Sequence, residues 1–113
     1  MAVKDGILYH LNEHTGNICE MEACVPTLSG EIIIPEGVEI VNGMNHCKGI
    51  TTVKLPSTVT AIYPGSLDNL ENCQEFLVDK KNQTYCSVDG AIYTKDKKDL
   101  IVRPLGKSGK RTR

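Results

Sequence analysis

Five cysteines are the side chains of this chain whose types and spacing could do chemistry. Cys19 and Cys24 are five residues apart on a predicted strand, and an odd spacing places them on opposite faces, where binding one metal ion would require a bulge. The sequence contains no Cys-x-x-Cys pair. Cys47, Cys73 and Cys86 fall at positions that the pattern assigns to the core or its edge. We therefore expect these cysteines to pack as small apolar side chains.

The three histidines give these thiols no evident catalytic partner. His10 is predicted to face outward on a strand, His14 lies in a turn, and His46 is adjacent to Cys47. Consecutive side chains diverge, so adjacency alone does not make His46 and Cys47 a nucleophile and its base. We expect a protein without catalytic residues, cofactor or metal. The alternative that stays open is a thiol- or metal-dependent activity that uses Cys47 or Cys73 with His46.

Charge is distributed unevenly along the 113 residues, although the net charge is only −1. Residues 1–40 hold one Lys and seven acidic residues, whereas residues 41–113 hold twelve basic and seven acidic residues. This pattern indicates either an acidic and a basic end of an elongated body or head-to-tail association of copies through those ends. The small net charge gives no support to specific nucleic-acid binding. The basic residues of the tail, 108–113, are expected to be solvated.

The sequence shows no targeting signal that would predict export. No apolar run approaches the ~20 residues needed to span a bilayer, and Met1 to Leu11 lacks a basic segment followed by an apolar stretch. An odd number of cysteines without such a signal predicts free thiols in a reducing compartment. We expect a cytoplasmic protein as the chain stands, or a cell-surface one if the chain is a piece of a longer exported protein. The sequon at Asn82 has meaning only in the second case.

A repeated sequence pattern predicts the architecture. Residues 34–41 and 55–62 carry Ile/Leu-Pro, Val and Val/Ile at one constant offset, and Ile32 and Val53 stand two positions upstream at the same offset. Val53 and Leu55 alternate with Lys54, which is typical of a half-buried strand. A fixed period of about 20 residues predicts a stack of repeats. A third strand is predicted at 76–78, after a loop in which 66–72 is the candidate for one helical turn.

Hairpins are predicted at both ends of the repeats. Residues 6–11 and 18–25 form the first, and strands at 85–87, 91–94 and 100–103 follow the repeats. The segment 3–9 is echoed by 88–93, with Asp-Gly in both. We expect one mainly β domain, 1–107, with an N-terminal hairpin cap (1–30), repeats (31–78) and a C-terminal β cap (79–107), followed by a basic disordered tail (108–113).

The repeats resemble a known family. The run Ile-x-Ile-Pro-x-x-Val is followed by residues 44–50 and 67–73, which fit a Gly/Ala-Phe-x-x-Cys-x-x-Leu stretch with Met44 and Leu67 in place of Phe and Leu70 in place of Cys. This pattern, over residues 5–107, resembles the BspA-type leucine-rich repeats (the treponemal, leucine-rich repeat 5 class). The resemblance implies a short right-handed solenoid with a parallel strand stack and a bacterial adhesion or partner-binding role.

We therefore predict a non-enzymatic module that binds another protein, as an adhesin-like surface protein or as a small regulatory binder or inhibitor. A self-assembling structural unit is a further alternative, with copies joined through the ends of the solenoid. Binding is expected on the strand face, at the residues between the inward ones, or on the loops at 42–49 and 64–72. The candidate residues are Ile33, Lys54, Leu77, Asn45, His46 and Lys48. An alternative for the face is that both sides of the stack are covered.

Overall fold

The chain folds almost entirely as β-strands. A computed structural model describes residues 2–4, 6–24, 27–44, 47–63, 65–67 and 70–106, and within these ranges it contains eleven strands and no helix. The abundance of Ile and Val suits extended backbone. The strands are β1 (Ala2–Lys4), β2 (Ile7–Leu11), β3 (Ile18–Cys24), β4 (Ser29–Ile33), β5 (Ile40–Val41), β6 (Gly49–Leu55), β7 (Ala61–Ile62), β8 (Glu75–Val78), β9 (Tyr85–Val88), β10 (Ala91–Thr94) and β11 (Leu100–Val102).

The first strands of the repeats form a three-stranded parallel sheet in the order β4-β6-β8. Ile32 lies opposite Val53, and Val53 lies opposite Phe76. Residues that are equivalent in successive repeats are therefore the residues that pair in the sheet. The proline after each of the first two strands removes a backbone donor, and β4 and β6 end before Pro35 and Pro56.

A second sheet combines the short strands of the repeats with the N-terminal hairpin, in the order β1-β2-β3-β5-β7. β3 pairs in parallel with β5, and β5 pairs with β7, so Glu20, Ile40 and Ala61 lie side by side. The N-terminal hairpin thus continues the stack directly.

The echo between residues 3–9 and 88–93 has a structural meaning, although β1 was not predicted as a strand. In both segments a strand pairs antiparallel with the one that follows it, β1 with β2 and β9 with β10. Val88 lies opposite Ala91, so the second reversal is a two-residue turn. Asp89 and Gly90 both adopt positive φ, as such a turn requires.

The third sheet, β11-β10-β9, confirms the strands predicted after the repeats to within a residue or so at their ends. It lies beside β8, where the Phe76 N–H donates to the Gly90 carbonyl at 2.7 Å and the Val78 N–H donates to Ser87 Oγ at 3.3 Å. The helical turn predicted within 66–72 is not observed: the described residues there, 66–67 and 70–72, form turns or irregular backbone, and residues 68 and 69 are outside the described part.

Equivalent positions of successive repeats form the core. We call each successive repeat a layer of the stack. A buried row or pair contains equivalent residues of successive layers, and every member is at most 8% exposed. The rows of the parallel sheet are Ile32–Val53–Phe76 and Ile34–Leu55–Val78, and the pairs of the following loops are Met44–Leu67, Cys47–Leu70 and Ile50–Cys73. The residues that carried the family resemblance are therefore core residues, whose burial supplies the main stabilising term.

Asn82 is a buried polar residue within this core. It follows Val59 at the same interval by which Phe76 follows Val53, and it is 1% exposed. Its Nδ2 donates to the carbonyls of Pro56 and Val59, each at 3.0 Å. Its Oδ1 accepts from the backbone N–H groups of Thr84 and Tyr85, each at 2.8 Å. The side chain is fully satisfied and joins the last layer to the one before it.

We predict that Asn82→Ala destabilises the protein by about 3 kcal/mol, because two buried carbonyls and two backbone donors lose their partner together. The matched control is Asn12→Ala. Asn12 Oδ1 also accepts two backbone bonds, from His14 and Thr15, but in an exposed turn where water replaces it, and the expected cost is about 1 kcal/mol or less. Urea unfolding measures both variants. Equal costs for the two would contradict the structural role of Asn82.

Candidate functional site

Three of the predicted binding residues form one row on the outer face of the parallel sheet. Ile33 pairs with Lys54, and Lys54 pairs with Leu77. The neighbours of these residues within each strand point into the core, so the row points away from it. Ile33 is 63% exposed, and Lys54 and Leu77 are partly exposed. The outer face is therefore open at this row, and the alternative in which both faces are covered does not hold at Ile33.

A groove runs beside this row, across the ends of all three strands. Its volume is about 350 Å³. Ile33, Lys54 and Leu77 form one side of its lining, and Pro35, Pro56, Asp79 and their neighbours form the rest. A groove with apolar and proline walls offers contact area for a side chain of a partner, and the polar groups at its margins supply orientation.

The electrostatics of the groove are dominated by carboxylates. Lys54 Nζ lies 3.1 Å from Glu31 Oε2, and both side chains are about half exposed, so this ion pair contributes little stability. Glu75 of β8 lies opposite Thr52, two residues before Leu77 and on the same face of the sheet, and is also exposed. Glu36 and Asp79 are part of the groove lining itself. The face thus presents one lysine among four carboxylates, which favours a partner with positive charge.

The loop candidates are only partly placed. Asn45 and His46 lie outside the described residues. Lys48 is exposed, with its Nζ 3.8 Å from Glu71 Oε1, and its carbonyl accepts a bond from Asn72 Nδ2 at 2.8 Å. Lys48 is not part of the groove lining. The structure therefore brings together the face residues but does not join Lys48 to them.

The prediction of five free thiols is wrong, because Cys24 and Cys47 form a disulfide. Regular alternation did not reveal this pairing. Register shifts between β2 and β3 leave Met21 and Cys24, three residues apart, both buried. One signal was available in the sequence: the interval from Cys24 to Cys47 equals the interval from Cys47 to Leu70. The disulfide thus joins equivalent positions of adjacent layers. Cys19, Cys73 and Cys86 remain free.

The disulfide and the burial of Cys73 weaken the thiol alternative. Cys47 has no thiol while it is paired with Cys24. Burial raises the pKa of Cys73 to about 11, and the negative charge of Glu75 also opposes its ionisation. The thiolate is the reactive form, so Cys73 is a poor nucleophile at neutral pH. No group of three or more His, Cys, Asp or Glu side chains within the described ranges is arranged to hold a metal ion.

Comparisons with known proteins give a likeness of fold. No protein-family model and no curated protein matches the sequence. A leucine-rich repeat protein from Eubacterium ventriosum matches over 71% of this chain with 23% identity and a TM-score of 0.64, and the match covers 22% of that protein. The pneumococcal vaccine antigen PcpA matches over 72% with 18% identity and a TM-score of 0.61, with 26% of its own length covered.

These neighbours define the class of the fold. The chain has a mainly β, leucine-rich-repeat-like fold, and it spans about a quarter of the length of each solved structure that it matches. A separate observation concerns membranes: none of the residues that the structure describes belongs to a helix long and apolar enough to cross one.

We predict that a maleimide reagent at neutral pH modifies Cys19 and Cys86 in the native protein, because both are partly exposed and free. Cys73 is expected to react only after unfolding, and Cys24 and Cys47 only after unfolding and reduction. Mass spectrometry counts the modified thiols at each stage, and Cys73→Ser identifies the one released by unfolding. Rapid native labelling of Cys47 or Cys73 would contradict the structure and revive the thiol alternative.

Proposed function

We propose that this chain is a non-enzymatic protein-binding module, built as a short right-handed solenoid of BspA-type repeats with a hairpin at each end. The likeness to two larger proteins, one of them a leucine-rich repeat protein, supports the solenoid. The repeat offsets in both parallel stacks support it as well. At the far end, the bonds from β8 to Gly90 and Ser87 support a closing role for the C-terminal hairpin.

The observation that carries this proposal is the open row on the parallel sheet. Ile33 and Leu77 lie on either side of Lys54, next to a groove that the strand ends shape. An apolar residue that is 63% exposed on an ordered sheet gains free energy when a partner covers it. The carboxylates around the row add orientation and discriminate between partners of different charge. We propose that a positively charged protein segment with apolar side chains binds here.

The disulfide bears on where this binding takes place. Disulfides form and persist in oxidising environments, and the bond between Cys24 and Cys47 ties the N-terminal hairpin to the first repeat. Of the two locations that the sequence leaves open, we therefore propose the cell surface, with an adhesin-like role. One matching protein is a pneumococcal vaccine antigen, which is in keeping with that choice. If the two cysteines were reduced in the native protein, we would instead propose a cytoplasmic regulator.

A peptide display library panned against the folded protein tests the binding face. We expect selected binders to lose about tenfold in affinity with Leu77→Ser, because burial of the aliphatic side chain contributes about 1.5 kcal/mol. The matched control is Ile101→Ser. Ile101 is an exposed aliphatic residue on β11 and does not line the groove.

The expected effect of the control is a change within about twofold, which corresponds to less than about 0.5 kcal/mol. Binding measured by fluorescence anisotropy with purified peptides separates the two results. Binders that respond equally to Leu77→Ser and Ile101→Ser, or to neither, would contradict the proposed face.

A further inference from the structure

The two edges of the parallel sheet differ in how they are covered. β8 is bonded to the C-terminal hairpin through the backbone N–H groups of Phe76 and Val78. β4 pairs with β6 on one side, and no other described strand is bonded to it. The N-terminal hairpin does not cover this edge, because its strand β3 pairs with β5 and so extends the second sheet instead. β4 is therefore the open edge of the sheet that carries the binding row.

The backbone groups at this edge are identified by the register. The Ile34 N–H donates to the Lys54 carbonyl at 3.0 Å, so Ile34 directs its polar groups toward β6. Successive residues of a strand direct their N–H and C=O groups to opposite edges, and those of Glu31 and Ile33 therefore point away from β6. Both residues are exposed. An extended segment that approaches this edge meets two donors and two acceptors in strand geometry.

The side chains at the edge specify the chemistry of that segment. On the paired side of β4, Lys54 of β6 reaches Glu31 at 3.1 Å while Val53 and Leu55 point into the core. The unpaired side of β4 presents the same Glu31 and the exposed Ile33 to a new neighbour. The first 40 residues hold seven acidic residues against one lysine, so the surrounding field attracts positive charge.

We infer that the open edge of β4 binds an extended basic peptide by strand addition, with Lys or Arg opposite Ile33 and within reach of Glu31, as Lys54 is on the paired side of β4. The added strand lengthens the parallel sheet by one and continues the row that begins at Ile33. This goes beyond binding on the outer face, because the main-chain groups of Glu31 and Ile33 supply the affinity and the side chains supply the selectivity.

A synthetic peptide, acetyl-Ile-Thr-Thr-Val-Lys-Leu-amide, is the probe, since its sequence is that of residues 50–55, which pair with β4 on its other side. Its partner is the same peptide with Glu in place of Lys. In titrations of the isotope-labelled full chain, the largest shifts are expected at the amides of Glu31 and Ile33. The Lys peptide is expected to bind about fivefold more tightly than the Glu peptide, from one exposed ion pair.

Two variants test the edge, and a third serves as control. Ile33→Pro removes an edge donor that β6 does not use, and binding is expected to weaken about tenfold. Glu31→Lys is expected to reverse the preference, so that the Glu peptide binds more tightly than the Lys peptide. Ile101→Ser, on β11 and outside both the row and the groove, is the control and is expected to change the affinity within about twofold. Far-UV circular dichroism verifies that each variant is folded.

Other outcomes would overturn strand addition at β4 and are distinguishable. Loss of binding with Leu77→Ser but not with Ile33→Pro would place the peptide in the groove, which overturns the edge and leaves the proposed face intact. Concentration-dependent shifts of Glu31 and Ile33 without peptide would make a second copy the occupant. Absence of binding by both peptides, or an unchanged preference in Glu31→Lys, would also overturn the inference. If Ile33→Pro does not fold, the charge reversal at Glu31 decides.

Discussion

Stacking of equivalent residues in register is the constraint on which the rest of this molecule depends. Ile32, Val53 and Phe76 lie in one buried row, and because side chains alternate between the faces of a strand, their neighbours Ile33, Lys54 and Leu77 must form the outward row. A slip of one residue would bury a lysine and expose the core. The register is therefore strongly specified, and the outer row and the direction of the backbone groups of Glu31 and Ile33 at the β4 edge follow from it.

Each end of the stack is secured by a different interaction. At the N-terminal end, the disulfide between Cys24 and Cys47 ties β3 to the loop of the first repeat. At the other end, the Asn82 side chain bonds to Pro56 and Val59 of the previous layer and to the backbone that leads into β9. Since a small domain has little margin of stability, such links help to hold three layers as an ordered surface. The same role excludes Asn82 as an accessible glycosylation site in the folded protein.

The elements that sequence reasoning located were those that repeat. The constant offset between the repeats predicted the strands around Ile32 and Val53 and their pairing, and the dipeptide Asp89-Gly90 marked a two-residue turn. The disulfide was missed because face assignment assumed regular alternation, which the irregular pairing of β2 and β3 breaks at Cys24. The role of Asn82 was missed because a polar residue between strands is typical of a turn. Only its interval from Val59, equal to that between the second and third strands of the sheet, could have indicated burial.

The outer row was predictable from alternation alone, whereas the groove was not, because its shape depends on how three strand ends lie side by side. Nuclear Overhauser effects between backbone protons of the 12.4 kDa protein test the stacking most directly. The structure predicts cross-strand contacts that connect the segments around Ile32, Val53 and Phe76 at the observed offsets. Contacts displaced by one residue, such as Ile33 opposite Val53, or the absence of contacts between these segments, would contradict it.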